Sequence, residues 1–229
     1  MRTFIALSIA AAALAAPAPA RAEDPWTTDF ALDPADLATT GSNPWFILEP
    51  GYTLVLEGDD EQLTITVLEE TRRVGDVETR VVEERETKGG RLKEVSRNFY
   101  AISRRTNSVF YFGEEVYMYR NETIADHDGA WLAGTRGARH GLMMPGLPLL
   151  GGRYYQEVAP GVAMDRAEIM SVSDTLTTPA AAFRAVLKMK ETTPLESFAR
   201  EYKHYAPGVG LIQDGSLKLV RYGHGAARP

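Results

Sequence analysis

The stretch Gln62–Val74, QLTITVLEETRRV, carries the pattern that decides the fold. Leu63, Ile65 and Val67 fall on one side of an extended chain, Thr64 and Thr66 on the other. Side chains of a strand alternate between faces, so this reads as a strand with one buried and one wet face. The next residues repeat the idea. Val77–Ser103, VETRVVEERETKGGRLKEVSRNFYAIS, holds two β-prone runs joined at Lys88-Gly89-Gly90-Arg91. A Gly-Gly pair there predicts a hairpin, because both central residues can take φ > 0. Ser108–Asn121, SVFYFGEEVYMYRN, is aromatic and β-prone, with Gly113 placed for a bulge or bend.

Outward from this centre, Asn43–Gly58, NPWFILEPGYTLVLEG, sets a Pro-Gly turn at 50–51 before the β-rich run Tyr52–Leu56. Asp126–His140, DHDGAWLAGTRGARH, reads as a connection around one short apolar strand, Ala130–Ala133. Gly141–Gly152, GLMMPGLPLLGG, has no usable period and predicts a long loop. Strands resume from Arg153. In Phe183–Lys190, Phe183, Ala185, Leu187 and Met189 face one way and Arg184, Lys188 and Lys190 the other. Asp214-Gly215 marks another hairpin. No helical period lasts beyond about two turns, and roughly ten or eleven strands follow at close spacing. The expected fold is all-β: one antiparallel meander over residues 43–229, forming a barrel or strongly curled half-barrel. Curling is how a long meander avoids leaving exposed edges.

The N-terminus reads as a targeting segment. Arg2, the apolar run Phe4–Ala16 and the small-x-small triplet Ala20-Arg21-Ala22 predict a signal peptide over 1–22, with the mature chain starting at Glu23. The run is too short to span a membrane. An extended arm over 23–42 follows, where DPADLATT has room for one helical turn. The expected location is periplasmic or secreted, with no transmembrane segment in the mature chain. Loss of Arg2 and Arg21 takes the formal charge from −6 to −8, which argues against nucleic acid and gives no support for an anionic membrane surface. With no cysteine, stability has to come from an ordinary core.

Four segments, NPWFILEPGYTLVLEG (43–58), YFGEE (111–115), YYQEVAPGVAMDRAEIMSVS (154–173) and TTPLESFAREYKHYAPGVGLI (192–212), resemble a group of exported bacterial β-proteins. That group shares an Asn-Pro-aromatic-Phe opening with a following Pro-Gly turn, and a Tyr-Ala-Pro-Gly-Val-Gly hairpin. It is similar to the lipoprotein-carrier and TapB-like half-barrels. The resemblance implies an exported β-sheet protein and no particular reaction. His204 departs from the group's pattern.

No nucleophile elbow, phosphate loop or dinucleotide fingerprint occurs in the chain. Two kinds of site remain. The first is an apolar pocket lined by Phe110, Phe112, Tyr117, Tyr119, Tyr154 and Met143, suited to a hydrophobic small molecule or lipid. Aromatics also simply fill β cores, so the pattern serves either purpose. The second is a metal or acid/base site from His127, His140, Glu115 and Glu157, with imidazole and carboxylate donors of the right kind. Asp126-His127-Asp128-Gly129 equally suits a solvated turn. Glu114 and Glu115 must point to opposite faces of their strand, so only one can lie inside. The expected function is a non-enzymatic exported binder of a hydrophobic or amphipathic ligand or an envelope partner. The alternative is a periplasmic metal-binding protein or metal-dependent enzyme.

Overall fold

The computed structural model describes residues 26–225; the expected signal peptide and cleavage site lie outside them. A 3-10 turn at Pro34–Asp36, capped by Asp33, opens the described chain. The strands that follow are β1 (Leu37–Ala38), β2 (Gly41–Asn43), β3 (Phe46–Leu48), β4 (Tyr52–Gly58), β5 (Glu61–Val74) and β6 (Val77–Lys88). Next come β7 (Arg91–Ser103), β8 (Val109–Arg120), β9 (Thr123–Asp126), β10 (Trp131–Leu132), β11 (Arg139–Met144) and β12 (Arg153–Tyr155). The last are β13 (Glu157–Val158), β14 (Arg166–Thr177), β15 (Ala182–Thr192), β16 (Arg200–Ala206), β17 (Gly210–Asp214) and β18 (Leu217–His224).

All but β2 and β3 join one antiparallel sheet of 16 strands, whose path runs β12-β14-β15-β16-β17-β18-β4-β5-β6-β7-β8-β11-β13. The two ends of that path are consecutive in the chain. β12 pairs with β14 and β13 with β11, and only Gln156 stands between them. The sheet is therefore a nearly closed barrel with one seam, straddled by a single segment that changes partner at Gln156. The hairpin turns behave as their residues require: Gly89 and Gly90 both have φ > 0, as does Gly215.

Two expectations are corrected. The 141–152 loop is shorter than it reads, because Gly141–Met144 completes β11, pairs with β8 and buries Met144. The missing period reflects a register shift between Leu142 and Met144. In β15 the alternation fails at Ala185, which has φ +52 and is exposed, so that Val186 and Leu187 are both buried.

The main core fills the barrel with inward side chains such as Leu56, Val82, Tyr100, Ile169, Leu187 and Ile212. The β2–β3 hairpin lies inside as a plug at one end. Asn43, fully buried, donates from Nδ2 to the carbonyls of Asn107 (2.8 Å) and Pro145 (3.0 Å), and Gly208 N–H donates to Pro44 O. A second cluster, with Val81, Phe99, Ala101, Phe110 and Phe112, sits on the outer face and is covered by Phe30, Leu32 and Leu37 of the arm. The arm thus starts outside and ends inside. β1 pairs with the end of β7 (Ser103, Ile102), beyond the last β6 partner, Tyr100. At that crossing buried Arg80 donates to Thr39 O, Leu68 O, Glu69 O and the hydroxyls of Thr39 and Thr40.

Candidate functional site

The plugged end carries the turns at 104–108 and 207–209. The opposite end, with the turns at 59–60, 89–90 and 215–216, is a polar mouth. Between plug and mouth lies a chamber of about 70 Å³. Trp45, Phe46, Tyr52, Leu54, Val82 and Leu211 line its apolar part, with Met143 beside them. Glu84, Lys203 and Asp214 line both this chamber and a second, wider one of about 370 Å³ at the mouth. The mouth adds Glu61, Glu86, Lys93 and Glu201. The apolar chamber is narrow, enough for a few waters or a short apolar group rather than a long acyl chain.

Alternation places these charges inside. On β16, buried Tyr205 faces the core, so Lys203 and Glu201 face the same way. On β6, Val82 does the same for Glu84 and Glu86. Lys203 Nζ lies 2.9 Å from Glu191 Oε2 and 3.6 Å from Asp214 Oδ2. Burial alone would lower this ammonium's pKa, but Glu191 and Asp214 outweigh it and hold it well above its ordinary value. Gln156 Nε2 donates to the other oxygen of Glu191 at 3.0 Å. For three further carboxyls the cost of burial is not outweighed. Burial pushes Glu84 up to about 7, with Lys203 opposing and Asp214 and Glu86 adding to it. Burial pushes Glu114 up to about 8 against a lowering hydrogen bond from Tyr111. Glu157 is driven well above the carboxylate range by burial and then by Glu114. Lys203 is held by Glu191 and Asp214, so Glu84, Glu114 and Glu157 leave an interior that holds protons at neutral pH.

Of the carboxyl pair expected inside, Glu157 faces the interior but Glu115 does not. Its inward neighbour is Glu114. The cause is the bulge at Gly113 (φ +136): Tyr100 pairs with Tyr111 and Asn98 with Glu114, so β8 has one residue more than β7. Phe110 and Phe112 face outward before the bulge, and Glu115 and Tyr117 face outward after it. Glu115 Oε1 accepts from Arg72 Nη1 at 2.5 Å and Oε2 from Tyr117 OH at 3.3 Å.

The two histidines do not meet. His127 Nδ1 bonds Val116 O at 2.6 Å and its ring lies edge-on to Tyr117. His140 Nε2 bonds Phe30 O at 3.2 Å beside Phe110 and Phe112, so it clips the arm to β11. Among the described residues no group of three or more His, Asp and Glu converges as a metal site. Of the six residues expected to form a pocket, Met143 borders the chamber and Tyr154 lies in the barrel core. Phe110 and Phe112 belong to the outer cluster, Tyr117 to the outer face, and Tyr119 pairs with Ile124 on β9. Sequence reading missed Glu84, Lys203, Glu191 and Asp214. The available signal was a polar residue at every second position of β6 and β16, which reads equally well as a solvent face.

The chain matches no protein-family model, no curated protein and no solved structure. Among the described residues no helix is long and apolar enough to cross a membrane.

Proposed function

We propose that this is an exported periplasmic protein, non-enzymatic, whose barrel takes up a small amphipathic ligand through the polar mouth. The observation that carries the reading is the shared boundary. Glu84, Lys203 and Asp214 end the apolar chamber and begin the wide acidic one. A ligand with a short apolar body and a polar head suits both halves at once, which is how binding sites combine apolar walls with a few convergent polar groups. Because Glu61, Glu84, Glu86, Glu201 and Asp214 outnumber Lys88, Lys93 and Lys203 around the mouth, a cationic head is favoured, and its arrival would displace the proton of Glu84. The resemblance to exported half-barrels supports the export, and the narrow chamber argues for a short ligand.

Thermal melts of the mature protein with two matched series, short alkylamines and alkyl carboxylates, test this. Alkylamines are expected to raise Tm with chain length up to a limit set by the chamber, and Val82→Trp, which fills it, to abolish the effect. If neither series moves Tm, and native mass spectrometry finds no small molecule carried through purification, the reading fails.

A further inference from the structure

The outer face of β12, β14, β15 and β16 differs from the rest of this acidic molecule. Ala167 and Ile169, Leu187 and Met189, and Tyr205 point into the core. Their alternate neighbours Arg166, Lys188, Lys190 and Tyr202 therefore point out. Register places Lys190 between Glu168 and Tyr202, and Lys188 between Ser171 and His204. Arg153 lies opposite Glu168, and exposed Arg200 opposite Thr192. The acids on this face are Glu168 and Asp174. Glu168 already accepts from both Arg153 and Lys190, and Asp174 from Ser171. Five cations against two carboxylates leave a positive face on a chain of net charge −6.

The face is bordered by apolar side chains that no described residue covers. Leu147, Leu149 and Leu150 are 75, 65 and 71% exposed, and outward Met170 and Val172 are 40 and 39% exposed. The loop is not loose. Gly146 N–H donates to Ser108 Oγ, and Gly151 and Gly152 exchange backbone hydrogen bonds with Ile169, which sets the leucines beside Met170. A rigid tip of leucines costs solvation in water and gains on entering an apolar phase. Tyr202 and Trp26, which lies under Arg166 at 4.5 Å, supply the aromatic, partly polar groups suited to a headgroup layer.

We propose that this face docks the protein on an anionic lipid bilayer, with Leu147, Leu149 and Leu150 entering the acyl boundary and Lys188, Lys190 and Arg200 meeting the headgroups. Cationic side chains beside a projecting apolar tip are the two signals peripheral binding needs together. The net acidity read from composition belongs to the molecule and its mouth, not to this face, and the barrel keeps the two apart. The proposal does not depend on what the interior binds.

Co-sedimentation of the mature protein with pure phosphatidylglycerol or pure phosphatidylcholine vesicles, beside a DNA duplex as a polyanion without an apolar phase, tests it. Binding to phosphatidylglycerol alone is expected, weakening with salt. Lys188→Glu with Arg200→Glu, and separately Leu149→Ser with Leu150→Ser, should each weaken it about tenfold. Both pairs are on the surface, so melts should confirm intact folds. Absence of phosphatidylglycerol binding, equal binding to phosphatidylcholine or DNA, or either pair leaving binding unchanged overturns the proposal.

Discussion

Replacing Glu84 by Gln should change the pH dependence of stability in a direction set by the barrel interior. Glu84 titrates near 7 in the fold against an ordinary value of 4.5. The folded chain therefore holds a proton over a range in which the unfolded chain has released it. The associated stability is complete below about 4.5 and is lost as pH rises through about 7. At about 1.36 kcal/mol per pH unit the interval amounts to about 3 kcal/mol, and access to the mouth reduces it to about 2 kcal/mol. Gln copies the protonated acid and does not titrate. At pH 5 the variant should match the wild type. At pH 8.5 it should be more stable by about 2 kcal/mol, or about 4–8 °C in Tm for a chain of this size. Lys203 keeps Glu191 and Asp214 as partners, so no lone charge is created. Urea titrations at both pH values measure the difference. A wild-type stability that rises from pH 5 to 8.5, or a variant profile with the same slope, refutes the reasoning.

Other perturbations probe the plug, the crossing and the bulge. Arg80→Met should cost about 3–5 kcal/mol in urea unfolding, because several carbonyls and hydroxyls at the arm's entry lose a charged donor at once. Asn43→Ala should cost about 2–3 kcal/mol and raise amide exchange at Asn107 and in the 145–152 loop, since it removes the buried donor that ties the carbonyls of Asn107 and Pro145 to the plug. Gly113→Ala meets both a left-handed backbone and the carbonyl of Trp131. It should destabilise by about 2 kcal/mol or more and dull the near-ultraviolet signal of Trp131. Lys203→Met should leave Glu191 without its cation and bring the acid-side stability maximum to lower pH than in the wild type.

Local pattern carried much of this architecture. Leu63, Ile65 and Val67 alternate because one side of β5 faces the barrel; Gly89-Gly90 and Asp214-Gly215 turn because only such residues accept the required φ cheaply. The bulge was visible in outline as a glycine amid aromatics. Its consequence was not. A bulge exchanges the faces of everything beyond it, so choosing Glu114 rather than Glu115 as the inward acid needed the pairing with Asn98 and Tyr100. Periodicity also cannot say whether a polar stripe faces water or a polar lumen, so nothing local marks Glu84, Glu86, Glu201 and Lys203 as inward.

The chain by itself determines strands, turns and a curled meander, because those follow from φ preferences and side-chain alternation within a few residues. The tertiary structure decides what alternation leaves open. Closing the sheet turns one polar stripe into a proton-holding interior around Lys203. It threads the arm inward under Arg80. It also sets the cations of β12, β14, β15 and β16 side by side on one face of an acidic protein. Each of these depends on which strands become neighbours, a property of closure that no single segment contains.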